Sequence, residues 1–153
     1  MKKAPHKILT VCLGNICRSP IAHGLVIHHA ERLGLNIEID SAGTINHHEG
    51  CKPDGRSIEI MAIKGHDITS QRSRIIKQED FDYYDLILVM DQSNYKDLCA
   101  LAENEVQKSK INLVLPNNGE VPDPYYGGQS GFENVYIMLD KAIPAWLMQD
   151  LTN

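Results

Sequence analysis

Strand-like and helix-like hydrophobic periods alternate along this chain. A short β-branched run at Lys7–Cys12 gives way to Ile21, Ala22, Leu25, Val26, Ala30 and Leu33, which recur at helical spacing. Asn36–Asp40 reads as a second strand and Gly55–Lys64 as a second helix. Asp85–Met90, with Leu86-Ile87-Leu88-Val89 inside it, reads as a buried strand. A helix is expected from about Ser93 to Ala102, then a strand at Ile111–Leu115. The last helix runs from about Gly131 and carries Phe132, Val135, Leu139, Ala142 and Trp146, with Pro144 expected to kink or interrupt it. Ser19 suits an N-cap and Pro20 the first helical position, so the first helix should begin just after Arg18. Gly24 within that helix costs about 1 kcal/mol relative to alanine, which points to close packing.

Strands alternating with helices favour an α/β fold, a parallel sheet covered on both faces. In such folds ligands gather at the carboxyl ends of the strands, where Cys12 lies. Two stretches lack periodicity, Ala42–Asp54 and Pro116–Ser130. Each follows a strand, so both are expected at the rim that the segment after Cys12 also reaches. At 153 residues the chain fits one domain, 1–153, with an ordinary core. A net charge of −5 argues against nucleic acid or an anionic membrane surface as the main partner. The basic start, Met1–Lys7, is followed by an apolar run too short for a signal peptide or a membrane span, so a cytoplasmic location is expected. Cysteines at 12, 17, 51 and 99 form no disulfide framework, which suits a reducing compartment.

The chemistry concentrates in Cys12-Leu13-Gly14-Asn15-Ile16-Cys17-Arg18-Ser19-Pro20. A strand ends in a cysteine, a short loop with Gly14 and Asn15 follows, and a helix opens near Arg18. That spacing curls the loop so that its N–H groups converge on one point, a cradle for a tetrahedral oxyanion with a thiol beneath it. Converging amides, a helix N-terminus and a nearby arginine are the surroundings that favour a thiolate. The planar fork of Arg18 can pair two phosphoryl oxygens, which lysine cannot reproduce. Asn15 tolerates a left-handed backbone and its amide can lock the loop. Ser19 is placed to donate a hydrogen bond to a departing thiolate. Each residue alone has a bland reading, a buried small cysteine or a solvated arginine; the joint arrangement is much rarer.

A thiol that accepts a phosphoryl group needs an acid for the departing alkoxide and later a base for water. Val121-Pro122-Asp123-Pro124-Tyr125-Tyr126-Gly127-Gly128 is a Pro/Gly-bracketed loop with one acid beside two aromatics. An acid beside a phosphate dianion and aromatic walls is biased toward its protonated form, as a general acid requires. On this segment alone, a plain polar turn fits equally well.

With both segments in view, the chain resembles the low-molecular-weight protein tyrosine phosphatases over nearly its full length. The resemblance also takes in Asp40-Ser41-Ala42-Gly43-Thr44, Pro53-Asp54 and Met90-Asp91. It implies a four-stranded parallel sheet flanked by helices on both faces, a flavodoxin-like three-layer sandwich. It implies no metal or other cofactor, and a cysteinyl-phosphate intermediate. It carries the nucleophile onto Cys12, the phosphate clamp onto Arg18 and the general acid onto Asp123. Leu13, Gly14, Asn15, Ile16, Cys17 and Ser19 become the substrate-binding loop, with Ser41 and Gln71 supporting it. Tyr125 and Tyr126 match the aromatic wall beside a substrate ring. Phosphotyrosine-containing proteins or peptides are the implied partners, inorganic phosphate the product and competitive ligand, and the chain a monomer.

Three positions depart from the family's pattern. Gln71 stands where a histidine usually joins the loop-locking network, so a donor and an acceptor remain but no charge. His47 stands at the pocket rim where an aromatic is common, giving a smaller, pH-sensitive wall. Pro144 falls in a helix that the family usually leaves unbroken. Three alternatives stay open. A protein-arginine phosphatase usually has threonine where Ile16 stands. A thiol-coupled arsenate reductase needs further cysteines, and Cys99 sits in a helical pattern that reads as core. A phosphotyrosine-binding module without turnover would have little use for Cys12, Arg18 and Asp123 together. His47, His48, Glu49 and Cys51 read as a polar loop rather than a metal site, since no second ligand pair accompanies them. Cys17 is expected to trap oxidised Cys12 as a disulfide, or else to pack as a small residue behind the loop.

Overall fold

Four parallel strands form one sheet in the computed structural model, which describes residues 6–149. The strands are β1 (Lys7–Cys12), β2 (Glu38–Gly43), β3 (Leu86–Val89) and β4 (Ile111–Leu113), in the order β2-β1-β3-β4. The helices are α1 (Arg18–Leu33), α2 (Gly55–Ile63), α3 (Asp80–Tyr83), α4 (Gln92–Leu101), α5 (Glu105–Ser109) and α6 (Gln129–Leu147). Residues 1–5, most of the basic start, lie outside the described residues.

Alternation along the strands divides the core in two. Ile8 and Cys12 of β1, with Leu86 and Leu88 of β3, face a cluster built from α1, α2 and α6. Leu9, Val11, Ile87 and Val89 face the opposite cluster, which includes Phe81 of α3 and Leu98 of α4. Every residue of β3 is buried, as a strand covered on both faces requires. The chain turns one way from β1 to β2 and the other way to β3. The carboxyl end of β1 is therefore the switch point where such sheets leave a crevice. Cys12 ends β1 there, on the face that α1 covers.

Several boundaries differ from the sequence expectation for physical reasons. β2 runs on to Gly43 because Thr10, Val11 and Cys12 pair with Ser41, Ala42 and Gly43, which carry no strand-like pattern of their own. α1 starts at Arg18, with Cys17 rather than Ser19 at the N-cap; the Ser19 hydroxyl is engaged in the loop instead. Pro144 does not interrupt α6, which continues to Leu147 and closes with Met148 N–H donating to the Pro144 carbonyl. Pro144 removes the single bond its N–H would have made to the Asp140 carbonyl, and the helix continues only three residues beyond it. The short α3 and α5 have too few turns to show a period, although the Asn104 side chain caps α5 by accepting from Gln107 N–H. Gly24 lies where α1 meets α2, and a β-carbon there would fall 2.6 Å from Met61 Cε.

Candidate active site

The loop after β1 turns its carbonyls outward and ties them down. The Cys12 and Leu13 carbonyls accept from Thr44 N–H, and the Gly14 carbonyl accepts from Ser73 Oγ at 3.0 Å. Asp54 N–H donates to the Ile16 carbonyl at 2.8 Å, and Ser57 Oγ donates to the Cys17 carbonyl at 3.2 Å. Among the described residues, none of the amides of Leu13, Gly14, Asn15, Ile16 or Cys17 donates to a protein acceptor. A run of consecutive free amides in a curled loop is an anion cradle. Gly43 lets the loop pass this close, because a β-carbon there would meet the Leu13 carbonyl oxygen at 2.8 Å and Asn15 N at 3.1 Å.

Asn15 adopts φ 58°, the left-handed conformation that asparagine tolerates better than most residues. Its Oδ1 accepts from Arg74 N–H at 3.0 Å, and its Nδ2 donates to Ser19 Oγ at 2.7 Å. Ser19 Oγ also lies 3.1 Å from Cys12 Sγ. With Asn15 using an acceptor site of that hydroxyl, its proton is free to donate to the sulfur. Cys12 and Ser19 are both buried, so the contact is shielded from water.

Arg18 is only 2% exposed. Its Nη1 donates to Asp91 Oδ2 at 2.7 Å and to the Val121 carbonyl at 2.9 Å, while its Nη2 lies 3.8 Å from Asp123 Oδ2. Its Nε has no protein partner among the described residues. An unsatisfied buried donor costs about 1–3 kcal/mol, so the fork is held ready for an anion. Burial works against its charge, but Cys12, Asp91 and Asp123 outweigh burial and raise its pKa further. Asp91 caps α4 by accepting from Asn94 N–H, which fixes the carboxylate that aims Arg18.

The cavity over this loop measures about 360 Å³. Cys12, Leu13, Gly14, Ile16, Cys17 and Arg18 form its floor, and His47, Asp123, Tyr125 and Tyr126 its rim. Asn15 and Ser19 lie behind the floor in the hydrogen-bond network described above. Ser41 and Gln71 stand further back. Ser41 Oγ pairs with His23 Nδ1 at 3.1 Å, and Gln71 Nε2 donates to the Pro20 carbonyl; neither bonds to Asn15. Asp123 Oδ1 accepts from Tyr125 N–H, which shapes the acid loop from within. A larger cavity of about 470 Å³ beside α6 is lined mostly by apolar groups and has no cysteine, carboxylate or arginine.

Sequence reading missed Ile45 and His48, which also line the rim, and the roles of Asp91, Ser73 and Arg74. Asp91 had a signal, an acid directly after a buried strand at the ligand end of the sheet. Ser73 and Arg74 had none, because only the fold brings them 59 positions back to the loop. Cys99 is half-buried at the margin of the second cluster rather than within the core. Among the described residues no group of three or more His, Cys, Asp or Glu side chains is gathered to hold a metal ion.

An α/β sheet with a thiol-bearing anion loop at its switch point, a buried arginine fork and a carboxylate at the rim defines a cysteine-based phosphoryl-handling protein. The sequence profile described as low molecular weight phosphotyrosine protein phosphatase matches residues 7–153. The human protein of that description is 39% identical over 155 residues, covering 95% of this chain and 96% of its own. A low molecular weight protein-tyrosine-phosphatase of Streptomyces coelicolor is 36% identical over 146 residues, covering 90% of this chain and 88% of its own. A crystal structure of a protein tyrosine phosphatase from Entamoeba histolytica, with Hepes in its active site, superposes with a TM-score of 0.87 at 37% identity. That superposition covers 95% of this chain and 96% of the other. The chain belongs to the low molecular weight phosphotyrosine protein phosphatase family.

Proposed function

We propose that the protein is a tyrosine phosphatase that hydrolyses phosphotyrosine and aryl phosphates through a cysteinyl-phosphate. The observation that carries this reading is the joint geometry of Cys12 Sγ beneath free loop amides, the Arg18 fork, and Asp123 Oδ2 only 3.8 Å from that fork. In the first step Cys12 Sγ attacks phosphorus in line, and the bond to the phenolic oxygen breaks as Asp123 gives that oxygen a proton. In the second, Asp123 takes a proton from water, the water oxygen bonds to phosphorus, and the thiolate leaves toward Ser19. Inorganic phosphate is released and competes for the same cradle. General acid–base help of this kind contributes about 10²–10⁴-fold. Ile16 offers the phosphorylated group an apolar wall, which suits a phenol better than a guanidinium.

The proposal extends to a single phosphatase domain that works as a monomer in the cytoplasm on phosphotyrosine proteins or peptides. Free cysteines and the lack, among the described residues, of any helix long and apolar enough to cross a membrane support that setting. It also includes redox sensitivity. Peroxide converts the Cys12 thiolate to a sulfenic acid; Cys17 sulfur then bonds to Cys12 sulfur as hydroxide leaves and takes up the Cys17 proton as water. Both cysteines line one cavity, which supports this route.

Initial rates on phosphotyrosine, phosphoarginine and phosphoserine peptides, with arsenate reduction measured in parallel, test the activity. Phosphotyrosine should be preferred, and Cys12→Ser or Arg18→Ala should remove turnover. An active Cys12→Ser enzyme would sink the mechanism, and a preference for phosphoarginine would sink the substrate assignment.

A further inference from the structure

Arg56 occupies a position between the two catalytic segments that its place in α2 does not require. α2 is fastened to the phosphate loop at its first turn, through Asp54 N–H to the Ile16 carbonyl and Ser57 Oγ to the Cys17 carbonyl. Arg56 lies between those anchors. Asp54 holds its side chain by accepting from Nε at 3.0 Å and from Nη2 at 3.0 Å, a two-pronged pairing that fixes the guanidinium plane. The far edge of that plane then donates across the cavity mouth. Nη2 reaches the Tyr125 carbonyl at 3.0 Å, and Nη1 reaches the Gly127 carbonyl at 3.1 Å. The guanidinium also lies 4.5 Å from the Phe132 ring centre in α6 and 5.6 Å from that of Tyr125. Arg56 is half-buried, and fixing so long a side chain through four hydrogen bonds costs rotamer entropy that its place in the helix does not call for.

We propose that Arg56 is a positioning residue that latches the acid loop to the phosphate loop and so sets where the Asp123 carboxyl stands over the thiol. Asp123 depends on its own loop for placement, since its Oδ1 accepts from Tyr125 N–H and its side chain is otherwise partly open to solvent. The peptide that donates to Asp123 thus belongs to the residue whose carbonyl Arg56 holds. The path from the loop to the acid is short: Ile16, Asp54, Arg56, Tyr125, Asp123. Lysine at this position keeps the charge but loses the planar fork, so it cannot hold Asp54 and two carbonyls together.

This inference rests on Asp123 being the general acid, and the test separates the two ideas. Rates of enzyme phosphorylation are measured by stopped flow for aryl phosphates whose leaving phenols range from acidic (2,4-dinitrophenol) to weakly acidic (phenol). Asp123→Ala should steepen the dependence on leaving-group acidity, with a loss of about 10²-fold at the poor end. Arg56→Ala should steepen it in the same sense by about tenfold, as expected for a displaced rather than deleted group, while dinitrophenyl phosphate stays within about twofold. Arg56→Lys should recover little of that loss. In the Asp123→Ala background, Arg56→Ala should add nothing to the slope.

A steep slope for Asp123→Ala with an unchanged slope for Arg56→Ala overturns the latch and leaves the acid assignment standing. An unchanged slope for Asp123→Ala overturns both. Equal losses on good and poor leaving groups for Arg56→Ala mark a merely structural residue and also overturn the latch. Full recovery by Arg56→Lys shows that charge alone suffices, and defeats the fork argument.

Discussion

Cys17 stands one residue before Arg18, yet its surroundings oppose those that activate a nucleophile. Burial, then the charges of Asp54, Cys12 and Asp123, push its thiol up to about 12, so it rests protonated. Oxidation of Cys12 to a neutral sulfenic acid removes one of those charges, which makes Cys17 more acidic when a partner has appeared. Peroxide inactivation should therefore be reversed by dithiothreitol in the wild type and not in Cys17→Ala, where Cys12 proceeds to the sulfinic acid. Equal recovery in both proteins would remove Cys17 from the route. At this scale Cys12, Arg18 and Asp123 could be picked out because their joint arrangement is rare, although each alone has a bland reading. Ser19 was legible as a hydrogen-bond partner of the Cys12 sulfur, which its hydroxyl meets at 3.1 Å, but not as the helix cap its position also suggested, since Cys17 takes that place and Asn15 engages the same hydroxyl. Gln71 was least legible. It reaches the Pro20 carbonyl and leaves a buried Oε1 with no partner among the described residues, which no residue type could have announced.

Two glycines separate stability from activity among the elements. At Gly24 a methyl group would fall 2.6 Å from Met61 Cε, a flexible tip that can swing aside, and 2.8 Å from Ile68 Cγ2, a branch methyl that cannot, pressing α1 against the segment after α2. Overpacking costs about 1–3 kcal/mol, more than the helix-forming gain of about 1 kcal/mol for alanine. Gly24→Ala should thus lower the urea midpoint while leaving kcat/KM near the wild-type value. At Gly43 the methyl group would meet backbone, the Leu13 carbonyl oxygen at 2.8 Å, so the phosphate loop itself must move. Gly43→Ala should lower kcat/KM by about ten- to hundredfold, the scale of a misplaced catalytic group. Steady-state kinetics beside urea unfolding checks both, and a Gly43→Ala enzyme with normal kcat/KM would show that the loop has room. The strands and long helices could be read from periodicity. The end of β2 could not, because Ser41-Ala42-Gly43 is strand only through its pairing with β1.

Across the whole molecule, histidines make stability depend on pH. His23 and His29 are depressed below the usual 6.5 mainly by burial; Asp40 partly offsets this for His23, and Asp140 for His29. His28 and Arg32 push His29 further down, and His66, depressed first by burial, also feels His28. The unfolded chain therefore binds protons that the folded chain resists. The stability these groups contribute is full above about pH 6.5 and is lost as pH falls below it. Asp54, held below the usual 3.8 by its hydrogen bonds from Arg56, loses its contribution only in far more acidic solution. The thermal midpoint should begin to fall below about pH 6.5, and His29→Gln should flatten that fall; a midpoint that rises with acid there would refute the assignment. The sequence by itself determined the alternation of strand and helix, the parallel sheet, and the loop that carries Cys12 and Arg18. Those are local facts, set by hydrophobic period and by residues adjacent in the chain. Tertiary structure alone decided that Asp91 aims Arg18, that Arg74 locks Asn15, and that Arg56 ties the acid loop to the phosphate loop. These partners stand 59 to 73 residues apart, and backbone carbonyls and amides, which every residue carries, make most of the contacts. No residue type encodes such a contact until the fold has brought the two segments together.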